Sequence, residues 1–195
     1  VFISGVSTKI EIYGSLLLQE NLLFQLVSDI HFLSSQPGNQ VDPAGHPFLR
    51  NVYFNGTGGG WSLMDSLVAG TWQVHLKEGQ LNTNSQIVRC GQFNADYAHP
   101  RSLQLGASTI YASAYWTIFT PGLAFDAGTS RIIMEGNGAS FASNGTSSIA
   151  YHDVLFSGQG GTAGLHAISA SFHRVTFRGN ASISGNNSYG DMVLA

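Results

Sequence analysis

Charge is what this sequence has least of. Of 195 residues only 8 are Lys or Arg and 11 are Asp or Glu, 10% in all, with a net charge of −3. An ordinary soluble domain carries roughly 25%. So few cations make no basic stripe for a nucleic-acid backbone, and no nucleic-acid partner is expected. Low net charge with 43% hydrophobic residues also excludes a disordered chain, and the composition is not that of a coiled coil. Cysteine is nearly absent. Cys90 stands alone, so no disulfide forms within the chain, and its strand-like setting (Ile87, Val88, Arg89) reads as a buried thiol rather than a nucleophile. Long apolar runs are missing too. The longest, from Leu16 to Val27, is broken by Gln19, Glu20, Asn21 and Gln25, short of the roughly 18 residues of a membrane span. No segment keeps a 3.6-residue period between caps, so little helix is expected.

What the chain does have is glycine, 24 residues, and short apolar alternation. Val52 and Phe54, Val74 and Leu76, Leu103 and Leu105, Leu123 and Phe125, Ile132 and Met134, Val154 and Phe156, and Val175 and Phe177 are pairs two residues apart. Each reads as a short strand with alternate side chains turned inward. Gly, Asn, Ser and Thr fill the intervals, and the glycines Gly56, Gly58, Gly59, Gly158, Gly160 and Gly161 read as turn residues. The distances from Val52 to Val74 and from Val154 to Val175 fit one rung of a coil. Such a rung cannot bury its apolar face alone, and stacking rungs buries one continuous core. The fold expected is therefore all-β: a parallel β-helix with about 20–25 residues per rung, right-handed by analogy. Stacked antiparallel β-sandwich repeats are the alternative, since they also use short, regularly spaced strands.

A longer period overlies this beat. Val52 to Leu63 matches Val154 to Leu165 at an offset of 102, with Val, Phe, Gly and Leu coinciding. Ser28 and Ile30 meet Ser130 and Ile132, and Val6, Ser7 and Thr8 meet Ala107, Ser108 and Thr109 with a one-residue shift. The expected organisation is a first repeat over 1–91 and a second over 92–195, in one continuous solenoid. Strand-like residues at both ends (Val1 to Ser4, Met192 to Ala195) lead us to expect a segment of a longer chain.

No group of residues announces catalysis. Glycoside hydrolysis needs a pair of carboxylates on one face, and Asp29, Asp42, Asp65, Asp96, Asp126, Asp153 and Asp191 are scattered without an Asp-x-Asp. The glycine runs lack the Lys and the following helix of a phosphate loop, and lack the Asp of calcium-binding nonapeptides. His152, His166 and His173 are near in sequence, but no spacing of zinc-ligand type joins them; we read them as ordinary hydrogen-bonding histidines. No catalytic residue, metal or cofactor is expected. Of the aromatics, Tyr115 and Trp116 break the alternation and are the best candidates for exposed rings that contact a sugar. Asn55, Asn144, Asn180 and Asn186 head sequons of the kind expected by chance in such a composition.

One stretch carries a family likeness. It runs from Phe93 through Arg101, Leu103, Leu105, Gly106, Ser108, Thr109 and Ile110 to Trp116. It continues through Gly122, Leu123, Phe125, Ala127, Gly128, Thr129, Ser130 and Ile132 to Tyr151, Val154, Phe156 and Gly158. It resembles a repeat of very large secreted surface proteins of Bacteroidota. The match is close from Phe93 to Gly158 and looser elsewhere; Leu22 to Ser28 departs from it. The resemblance implies a β-helical, non-catalytic, adhesin-like or stalk region, located extracellularly at the cell surface. It also implies type 9 secretion, with the secretion machinery as partner during export and surface glycans or other cell-surface proteins as partners afterwards. Asp65, Ser66 and Leu67 resemble an O-glycan acceptor triplet of that phylum, which makes Ser66 the candidate for glycosylation. A β-helical polysaccharide-degrading enzyme and a carbohydrate-binding module are the alternative functions.

Overall fold

The computed structural model describes residues 2–5 and 9–195. They form twenty strands with no helix, and every strand pairing is parallel. Each strand is bonded to a strand one turn away, and most of those in the middle of the chain to one on either side. About eight turns stack in this way into a β-solenoid. The sandwich alternative falls, because its strands would pair antiparallel.

The strands of the stack fall into three sheets, beside a separate pair formed by Phe2–Gly5 and Leu23–Leu26. The first contains Lys9–Ile12, Asp29–Phe32, the opening halves of Val52–Leu63 and Gln73–Asn82, the closing halves of Ile87–Ala95 and Thr109–Phe119, then Ser140–Asn144, Thr162–Ala167 and Asn180–Ser184. The second contains Leu16–Leu17, Asn39–Asp42, the closing halves of Val52–Leu63 and Gln73–Asn82, Arg101–Gln104 and Leu123–Asp126. The third runs from Leu67–Val68 through Arg131–Met134 to the closing half of Ser188–Leu194.

Register turns the alternation into columns. Ile30, Val52, Val74, Phe93, Trp116, Phe141 and Leu165 stack up the first sheet. Leu67, Val88, Ile110, Ile132, Val154 and Val175 stack up the third. The strand spacing of about 4.8 Å suits face-to-face rings. Phe32 and Phe54 lie 4.9 Å apart at 8°, Phe93 and Trp116 4.7 Å apart, and Phe156 and Phe177 4.6 Å apart at 10°. Val52 pairs directly with Val74, and Val154 with Val175, so the short beat is one turn of the coil. Its length varies from 17 residues (Arg174 to Asp191) to 25 (Trp116 to Phe141), slightly wider than expected.

The 102-residue offset has a different meaning. Val52 and Phe54 lie on the first sheet, whereas Val154 and Phe156 lie on the third. Matching residues thus share a pattern but occupy different sides of the coil. Residues 91 and 92 fall inside strand Ile87–Ala95. Val6, Ser7 and Thr8 lie outside the described residues.

The glycine reading needs correction at one corner. Gly56, Gly58 and Gly59 sit within strand Val52–Leu63, where the chain bends from the first sheet to the second through an irregular register. Gly58 has the positive φ of a turn (+78°). Gly56 and Gly59 are glycine for another reason: a Cβ on either would overlap the Ser34 carbonyl oxygen one turn away. Gly158, Gly160 and Gly161 lie in a loop, as expected, and Gly161 has φ +87°.

Three outcomes follow for stability, all readable by denaturant unfolding. Phe54→Ala, at a fully buried stacked position, should cost about 3–5 kcal/mol. Gly59→Ala should cost more than about 1 kcal/mol, because backbone must move to admit the methyl group. Gly14→Ala, where the nearest atom is 4.0 Å away, should change stability by less than about 0.5 kcal/mol.

Candidate functional site

With the inward columns filled by apolar side chains, any chemistry must lie on the outward faces and corners. The first sheet carries the most organised outward ladder. His31 stacks on Tyr53 at 4.4 Å, Tyr53 on His75 at 4.5 Å, and the His75 ring lies 6.3 Å from that of Tyr97. Lys77 lies over Tyr53 at 4.9 Å and over Tyr97 at 5.4 Å. His75 Nδ1 is 2.9 Å from the Tyr97 hydroxyl. Burial, and after it the Lys77 charge, pushes the His75 pKa down to about 4. Burial also lowers that of His31 and raises those of Tyr53 and Tyr97. At neutral pH His75 is therefore an uncharged ring. Tyr53 is stacked on both faces, by His31 and by His75, so the ladder joins three consecutive turns.

Tyr115 and Trp116 part company. Adjacent strand residues point to opposite sides, so Tyr115 is 48% exposed while Trp116 is fully buried. The expectation of two exposed rings is thus corrected for Trp116, whose indole stacks between Phe93 and Phe141. Tyr115 is flanked in its sheet by Gln92 and Ser140, neither of which has a ring to cover it. Its face is open for stacking against a flat apolar partner such as a pyranose. Ser66 is half-buried at the corner between the second and third sheets, with its backbone N–H donating to Asp65 Oδ1 at 2.6 Å. Cys90 is buried, and burial pushes its thiol up to about 12, so it is not a nucleophile at neutral pH.

Of the three histidines singled out, two meet. His152 and His173 stack at 4.4 Å on consecutive turns beside Asp153. His166 stands apart, 2.8 Å from the Ser184 hydroxyl.

Arg101 is the residue whose role the sequence concealed. It is only 4% exposed and, among the described residues, forms no ion pair with a carboxylate. Instead the guanidinium donates to the carbonyls of Ala95 (2.6 Å), His99 (2.9 Å), Pro121 (3.0 Å) and Phe119. The planar fork gathers carbonyls left unpaired where the chain turns between the first and second sheets. Burial lowers its pKa.

No protein-family model, curated protein or solved structure matches the chain.

Two measurements check these assignments. In the unfolded chain a histidine takes its proton near pH 6.5; folded His75 does not until about 4. The unfolded state therefore binds protons first, and stability, complete above about pH 6.5, should fall as pH drops towards 4. His75→Gln should flatten that slope in unfolding curves taken across the interval. Arg101→Met should lower stability by about 3 kcal/mol or more, because carbonyls lose their donor, and Arg101→Lys should recover only part of it.

Proposed function

We propose that this chain is a non-catalytic structural and adhesive β-solenoid segment of a large secreted bacterial surface protein, exported by the type 9 route. The observation that carries the reading is the in-register stack. Its columns of buried side chains climb the first sheet from Ile30 to Leu165 and the third from Leu67 to Val175, and several outward rings and charges pair between turns. A stack of this kind resists bending, because successive turns are tied to one another by parallel backbone ladders. It acts as a stiff spacer that repeats a surface along its length. Among the described residues no helix is long and apolar enough to cross a membrane.

Adhesion falls to the outward face. Tyr115 offers an uncovered ring on the first sheet, and with few charged residues nearby its contacts would be stacking and hydrogen bonds rather than ion pairs. The partner that suits this chemistry is a neutral surface glycan.

The test is a panel of polysaccharides. The chain should be retained on at least one immobilised glycan, with Tyr115→Ala weakening retention about tenfold, as loss of a stacked ring does. It should release no reducing ends or unsaturated sugars from any of them. Product release would overturn the non-catalytic reading, and failure to bind every glycan would overturn the adhesive one.

A further inference from the structure

We propose that His152, Asp153 and His173 form a binding site for a divalent transition metal of the zinc class, clipping two consecutive turns together. The site lies at the corner where the chain passes from the second sheet to the third. On each of two turns this corner holds two outward residues between inward ones. His152 and Asp153 lie between Tyr151 and Val154, and His173 and Arg174 between Phe172 and Val175. Tyr151 pairs with Phe172 and Asp153 with Arg174, so the two imidazoles face each other across one strand spacing and the carboxylate stands beside both.

The distances are those of a ligand set. Asp153 Oδ1 lies 3.0 Å from His173 Nδ1 and 3.3 Å from His152 Nδ1, and one ligand atom from each of the three residues falls within 4.8 Å of the others. A tetrahedral ion with bonds of about 2.0–2.1 Å keeps its ligands about 3.3 Å apart. The two nitrogen-to-oxygen separations therefore already match edges of the polyhedron. Small rotations of the stacked rings turn their lone pairs onto a common point. His152 Nδ1 is shielded from solvent, and its 3.3 Å approach to Asp153 Oδ1 lacks the geometry of a hydrogen bond, so this buried polar atom is one that a metal would satisfy.

The surroundings admit such an ion. One turn on, the position opposite His173 is Gly190, between the pairs Phe172–Tyr189 and Arg174–Asp191, so no side chain crowds the ring from below. Arg131 and Arg174 flank Asp153 in register. Arg174 is turned onto Asp191 at 3.0 Å, which leaves the Asp153 oxygen to the histidines. Two imidazoles and one carboxylate select zinc, copper(II) or nickel(II) over magnesium and calcium, which prefer all-oxygen shells. Water would complete the coordination. This inference is independent of the adhesive reading.

Calorimetric titration of the whole chain, stripped with a chelator, tests it with zinc chloride as the probe and magnesium chloride as the comparison. Zinc should bind saturably at one site and raise the melting temperature, and magnesium should do neither. His173→Ala and His152→Ala should each weaken zinc binding roughly tenfold or more, and His166→Ala should leave it unchanged. His173 is more than half exposed, so its replacement keeps the fold, which circular dichroism would verify. Cobalt(II) gives a second signature: visible bands at the intensity of a four-coordinate ion in the unaltered chain, lost in His173→Ala. Absence of saturable zinc binding, or binding that survives loss of His173, would overturn the proposal.

Discussion

The whole structure depends on in-register parallel stacking. Because the turns climb in register, each side chain has for its nearest neighbours the side chains at the same position one turn above and one turn below. An inward residue must therefore fit its own column. This is why Phe32 meets Phe54, Phe156 meets Phe177, and Phe172 lies between Tyr151 and Tyr189. Flat rings spaced by a strand separation fill the column without gaps, and branched aliphatics such as Val154 and Val175 do the same where it is narrower.

The same constraint explains the shortage of charge. A charged residue repeated at one position would stand about 4.8 Å from its own kind, a repulsion that recurs at every turn. The chain avoids this in two ways. Many outward positions are Ser, Thr, Asn or Gln, and several of these side chains bridge to backbone of the adjoining turn. Asn51 accepts from the Gln73 N–H while its own N–H donates to Asp29. Where charge is used, its sign alternates: Arg131, Asp153, Arg174 and Asp191 follow one another up the third sheet. Low charge is thus a requirement of the stack rather than a preference for apolar surroundings.

Much of this was legible in the sequence and some was not, for a common reason. Alternation and the interval between Val52 and Val74 are local properties, so strands and turn length could be read directly. Phase is not local. Three sheets with the same demands yield similar phrases, which is why Val52 and Val154 look alike while lying on different sides of the coil. The corner near Gly56 and Gly59 was misread because glycine serves both positive φ and close approach, and only the position of the Ser34 carbonyl one turn away distinguishes them. Trp116 was judged by its neighbour Tyr115 when strand geometry sends the two apart. Arg101 gave no signal, because its partners are carbonyls and carry no side-chain identity. The pairing of His152 with His173 rather than His166 required the register itself.

Stacking also determines where the molecule is strong. In a coil whose turns touch only their neighbours, stability is close to a sum of turn and interface contributions. The central turns, from Asp29 to Phe177, have covered neighbours on both sides and hold almost every fully buried side chain. In the last turn, Ile183, Met192 and Leu194 stand in line with the core columns, yet they are 42%, 42% and 72% exposed. Each rests on a fully buried residue of the turn before it, Leu165, Val175 or Phe177. The histidine corner joins the turns just before this region, at the step from strand Ile149–Phe156 to Ala170–Phe177. A cross-link at that step would strengthen one turn-to-turn interface, and because each turn touches only its neighbours the gain stays local to it.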